Sequence, residues 1–150
     1  MIKQTILLLS CFLLNSCIES TPPTKAKFPF TRYSKVIAYQ MDDNTGALVN
    51  NGKLSPNLAD GILLSQEKTN QLLLLLNDPA SFNDELGLRC FHPNLGIVFF
   101  TESNLPIAHL EISFECNQIQ AFPELDHQSF SVLGGQRMFE LESKLKPPSE

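Results

Sequence analysis

The chain has 150 residues, 43% of them apolar and 18% charged, with a net charge of −5. That length holds one ordinary domain, and the balance excludes fibrous and intrinsically disordered classes. Eleven Lys and Arg with no basic cluster make a poor surface for phosphate backbones, so no nucleic-acid partner is expected. No apolar run approaches the ~18 residues that a membrane-spanning helix requires.

At the N-terminus one charge, Lys3, precedes Thr5–Leu14, in which only Thr5 and Ser10 are polar. Asn15-Ser16-Cys17 follows, and beyond it the apolar character stops. This order of charged, apolar and small residues is that of a secretory signal, and the apolar part is too short to span a bilayer. A first helix of a soluble core is the alternative, but the run shows neither a cap nor a polar face.

The tetrad Leu14-Asn15-Ser16-Cys17 resembles the lipobox of bacterial lipoproteins. Leu14, Ser16 and Cys17 match the pattern; Asn15 departs from it, since a small or apolar residue is commoner there. The resemblance implies cleavage after residue 16, with Cys17 carrying diacylglyceryl and palmitate-type chains. A plain secretory cut that leaves Cys17 a free thiol is the competing outcome. Several chains on one sulfur give a stable attachment at about 0.8 kcal/mol per buried methylene, where one chain would hold only marginally. Ile18 after the cysteine, rather than Asp, implies by the same resemblance an outer-membrane destination, facing periplasm or exterior. Loss of residues 1–16 removes Lys3, leaving a more acidic body that an anionic membrane repels. The lipid must then hold it.

Residues 17–33 read as the lipidated cysteine and a flexible tether. Pro22, Pro23 and Pro29 interrupt any ladder, and the stretch reaches at most about 50 Å. Alternatively Phe28, Phe30 and Tyr33 dock on the domain as an edge segment. Residues 34–146 are expected to form a single globular domain, and 147–150 a tail.

Within that domain, Ser34–Met41 reads as a strand bounded by the turn cluster Asp42-Asp43-Asn44-Thr45-Gly46. Further turns are marked by Asn50-Asn51-Gly52 and Ser55-Pro56-Asn57. Ser65 is a candidate N-cap for a helix through Leu72–Leu76, with Glu67 in its first turn and Pro79 forcing a stop. Five successive leucines predict burial on several sides. Residues 80–95 read as loop.

Gly96–Thr101 and Ile107–Phe114 are the clearest strands, joined by the hairpin connection Glu102–Pro106. Ala108, Leu110, Ile112 and Phe114 alternate with His109, Glu111 and Ser113, which predicts one buried and one wetter face. From Ser131 to Leu145, Met138, Leu141 and Leu145 stand at helical spacing, weakened early by Gly134-Gly135. The expected fold class is α+β: a small antiparallel sheet with a central hairpin and two packed helices.

Of four cysteines, Cys11 leaves with the signal and Cys17 takes lipid, so Cys90 and Cys116 remain as a disulfide candidate. The hairpin supports the pairing independently. Antiparallel partners about its turn have residue numbers summing to about 206–208, which Cys90 and Cys116 satisfy. Closing that loop contributes about 3–4 kcal/mol in the chain-entropy model.

Chemical alternatives are weaker. Cys90 and His92, completed by His109 or His127, could chelate a metal, and Cys90 could act as a nucleophile with one of these histidines as base. Nothing in the spacing makes them converge. Glu111 and Glu115 could pair as carboxylates, but a wetter face leaves Glu111 simply solvated. Gly134-Gly135 lacks the spacing of a phosphate loop. No cofactor, metal site or catalytic residue is therefore expected.

Cys90-Phe-His-Pro-Asn-Leu-Gly-Ile-Val-Phe99 with Ile112-Ser-Phe-Glu-Cys-Asn117 resembles a group of small uncharacterised bacterial lipoproteins. With Asp78-Pro79 ahead, the likeness covers roughly residues 62–118. That group often reads Cys-Phe-Glu-Cys where this chain has Ser113-Phe114-Glu115-Cys116, so a redox or metal role built on such a pair is in doubt here. The resemblance supports a lipid-anchored envelope protein and implies no activity. The expected function is a non-enzymatic module binding an envelope protein or small ligand; the alternative is an envelope enzyme or metal-binding protein using Cys90 with a histidine.

Overall fold

A computed structural model describes residues 27–83, 90–125, 128–133 and 135–145. The expected signal 1–16, Cys17, His127, Gly134 and the tail 147–150 lie outside the described residues. Among the described residues, nine strands, a 3-10 turn and two helices follow in chain order. They are β1 (Lys35–Gln40), β2 (Val49–Asn50), β3 (Lys53–Leu54), β4 (Ile62–Leu63), α1 (Gln66–Leu76), the turn Pro79–Ser81, β5 (Phe82–Asn83), β6 (Leu95–Phe100), β7 (Pro106–Ser113), β8 (Gln118–Leu125), β9 (Gln128–Leu133) and α2 (Gly135–Leu145).

One sheet runs β4-β1-β6-β7-β8-β9-β5, antiparallel at each pairing, and β2–β3 form a separate hairpin. Five long strands carry the sheet, and the two-residue β4 and β5 finish its edges. The fold is α+β, with the β6–β7 hairpin at its centre. The short turn sets the expected register: Leu95 faces Ile112, Ile97 faces Leu110 and Phe99 faces Ala108. Both strands begin one residue earlier than their sequence pattern predicts.

On one face of the sheet, Val36, Ala38, Ile97, Phe99, Leu110 and Ile112 meet both helices in the larger core, through Leu72 and Leu76 of α1 and Leu141 and Leu145 of α2. Ser65 caps α1 as expected, its Oγ accepting from the Lys68 N–H at 3.2 Å. The leucine run is not buried on several sides. Leu72 and Leu76 are buried, Leu73 and Leu75 half-buried, and Leu74 is 72% exposed. At 100° per residue, Leu74 lies about 200° from Leu72, and only one side of the helix rests on the sheet.

The last helix also starts later than its periodicity predicts. Ser131 and Val132 pair with Ile119 and Gln118, and Leu133 pairs with Phe82, so residues 131–133 finish β9. Gly135 then opens α2. Ladder partners on both sides override the helical spacing of the residues that follow.

The opposite face carries Tyr39, Val98 and Phe100, and is covered by residues 41–58 through Met41, Leu48, Leu54 and Leu58. Asn51 and Gly52, at φ 49° and 73°, make the tight turn between β2 and β3. Positive φ at both central residues is what a two-residue hairpin needs, and Asn-Gly supplies it cheaply. This cover changes the expected wetter side of β7: Glu111 is only 9% exposed and Ser113 is fully buried.

The N-terminal segment takes the docked alternative. Phe28 lies in the larger core, edge-on to Phe99 at 5.5 Å between centroids, and Tyr33 meets the same ring at 5.3 Å. Asn77, just past α1, accepts from the Phe28 N–H at 2.8 Å and donates to its carbonyl at 3.0 Å. Residues 27–33 therefore pack on the domain rather than belonging to a free tether, while Phe30 remains exposed.

Candidate functional site

Cys116 sits in the turn between β7 and β8, and Cys90 lies a few residues ahead of β6. The ladder extends through Asn94, whose N–H donates to the Ile112 carbonyl at 2.9 Å and whose carbonyl accepts from the Met41 N–H at 3.1 Å. Asn94 Oδ1 also accepts from the Phe114 N–H at 3.4 Å, tying the approach to the turn. These contacts bring Cys90 and Cys116 to disulfide distance, with Cα atoms 6.1 Å apart at a sequence separation of 26. Bonded sulfur supplies neither a nucleophile nor a soft metal ligand.

The two described histidines, His92 and His109, lie on different segments. His92 is exposed in the stretch before β6, and His127 lies outside the described residues. His109 stacks on Phe122 across the β7–β8 ladder, with ring centroids 4.5 Å apart and planes at 15°. Burial lowers its pKa from 6.5 to about 4, because the charged imidazolium loses solvation in that stack. It is neutral near pH 7 and a weak base. Among the described residues, no group of three or more His, Cys, Asp or Glu assembles in a geometry that could hold a metal.

The expectation that Glu111 is a solvated surface carboxylate fails. Glu111 Oε1 accepts from the Leu48 N–H at 2.9 Å, joining the centre of the sheet to the covering loop 63 residues earlier. Gly96, opposite Glu111 in the ladder, makes the approach possible. A Cβ there would stand 2.6 Å from Leu48 Cδ1 and 2.9 Å from Met41 Sδ. Loop and carboxylate thus meet over a bare patch of backbone. Ser113, on the same strand face, is fully buried, and its Oγ has no hydrogen-bond partner. Glu115 stays exposed in the following turn.

Two concavities flank α1 on the other side of the molecule. One, of about 240 Å³, lies between α1 and α2, with Leu72, Leu75 and Leu141 below and Lys68, Glu140 and Lys144 among its lining. The second, of about 770 Å³, is open and lined by Lys27, Phe28, Leu73, Leu74 and Asn77 among others. Leu74 borders both. These grooves had no sequence signal beyond the length of the leucine run, because Lys27 and Phe28 reach α1 only through the tertiary contact with Asn77. What they offer chemically is apolar contact with balanced charge around it.

No family model, no curated protein and no solved structure matches this chain. Among the described residues, no helix is long and apolar enough to cross a membrane.

Proposed function

We propose that this is a lipid-anchored protein of a bacterial cell envelope, attached through Cys17, whose domain is a non-enzymatic binding or interaction module. The observation that carries the reading is the N-terminal order itself: Lys3, the apolar stretch 5–14, then Leu14-Asn15-Ser16-Cys17. Two features of the domain support it. The Cys90–Cys116 pair at disulfide distance suits an oxidising compartment outside the cytoplasm. Phe28, eleven positions after Cys17, is already packed in the larger core, which allows only a short connection to a surface anchor. The enzyme alternative needs a free Cys90 thiolate, which an oxidised pair removes.

The test is the mass of the mature N-terminus. A diacylglyceryl-bearing Cys17 is expected, and Cys17→Ala leaves an unprocessed, unlipidated precursor. An acyl-free wild-type N-terminus refutes the anchor. Turnover of ester, peptide or glycan substrates by the purified protein, lost on His92→Ala, refutes the non-enzymatic part.

A further inference from the structure

We propose that the outward side of the helix layer, marked by Leu74 and Phe139, lies against the phospholipid interface of the bilayer that holds Cys17. This rests on the lipid-anchor reading above.

Both helices place a large apolar residue away from the core. Leu74 follows the buried Leu72 by two positions, and Phe139 precedes the buried Leu141 by two. At 100° per residue each stands about 200° from its core neighbour. They are 72% and 71% exposed, so neither contributes to holding the domain together. Ile62, Leu63 and Leu105 are also more than half exposed, but they stand on the β4 edge and in the β6–β7 turn rather than on a helix.

The start of the described chain indicates what covers them. Lys27 and Leu74 line the same open groove, and the two Asn77 bonds to Phe28 fix the chain there. Lys27, ten positions after Cys17, therefore stands beside Leu74. From Cys17 to Lys27 the chain extends at most about 35 Å, so the groove that Lys27 shares with Leu74 stays within that distance of an acylated Cys17. Such a leash makes weak contacts count, because the local concentration of the surface is high.

Charge agrees with the assignment. The whole chain carries −5, which an anionic membrane repels. On this side the balance is different: Lys68 and Lys144 offset Asp78 and Glu140 around one groove, and Lys27 offsets Asp78 at the other. The two grooves beside Leu74 are thus close to neutral within an acidic molecule.

The chain lacks tryptophan, which makes the test direct. Leu74→Trp, Phe139→Trp and, on the far face, Lys53→Trp are each made in the full-length acylated protein and reconstituted into phosphatidylcholine vesicles. Emission from positions 74 and 139 is expected to shift to the blue on transfer from detergent and to be quenched by brominated phosphatidylcholine. Emission from position 53 stays at its water-exposed maximum. If all three behave alike while the protein floats with the vesicles and carries its acyl mass, the docking surface is overturned and the anchor stands. A blue shift without bromolipid quenching also overturns it, in favour of a protein partner or second copy. Absence of acyl mass overturns both readings.

Discussion

Glu111→Ala separates a structural clamp from an ordinary surface carboxylate. The wild-type oxygen accepts the N–H of Leu48, a residue with no solvent exposure, at 2.9 Å. A hydrogen bond to a carboxylate contributes about 1.5–3 kcal/mol, and a buried donor left without its acceptor costs a similar amount. The loss from Glu111→Ala should be about 2–3 kcal/mol. For a domain between small and middle size, at about 4 °C per kcal/mol, the midpoint falls by about 8–12 °C. Thermal and urea unfolding measure the total; hydrogen exchange at the Leu48 amide localises it, since that proton should exchange faster by sub-global opening of residues 41–58. Glu111→Gln keeps an acceptor oxygen and should recover most of the loss. If Glu111→Ala lies within about 0.5 kcal/mol of wild type with Leu48 protection unchanged, the clamp is not what holds the loop.

Three further outcomes follow from the same geometry. Native material should lack free thiols at Cys90 and Cys116, and reduction, or Cys90→Ser with Cys116→Ser, should lower stability by about 3.5 kcal/mol in the chain-entropy model; quantitative thiol labelling of unreduced protein would contradict this. His109, held neutral with a pKa of about 4 against 6.5 unfolded, binds fewer protons folded than unfolded between those values. Its contribution is therefore intact above about pH 6.5 and is lost as pH falls toward 4, so His109→Gln should flatten the urea midpoint against pH across that window. Asn77→Ala removes both bonds to Phe28 and should cost about 1–3 kcal/mol. Trypsin would then cut faster after Lys27 and Arg32, and an unchanged cleavage rate would show that ring packing alone holds the segment.

What could be seen in the sequence was what depends on near neighbours. The β6–β7 register follows from a short turn, and the same turn brings Cys90 toward Cys116, so arithmetic along the chain reached both. Ser65 and Pro79 bracket α1 through local capping and stopping chemistry. The failures came from distance. Glu111 alternates like a solvent-facing residue, and only Leu48, far back in the chain, removes it from water. Phe28 reads as tether because its partner Asn77 is 49 residues away. Strands β8 and β9 carry no clear strand pattern in the sequence: Pro123 interrupts one, and the helical spacing of Met138, Leu141 and Leu145 draws the expected helix back over the other. The grooves beside α1 were invisible for the same reason as Phe28.

Synthesis runs from the N-terminus, and the pairing of β1 sets a delay on it. Strands β7 and β8 meet neighbours a few residues away, but β1 lies between β4 and β6, and its six-residue ladder is with Leu95–Phe100. At about 5–20 residues per second, some 60 residues separate the two strands by ~3–12 s. During that interval Val36, Ala38 and Tyr39 have at most the two-residue β4 beside them. A chain emerging from the ribosome, or from an export channel, therefore carries an apolar strand with most of its ladder missing until Leu95–Phe100 follows.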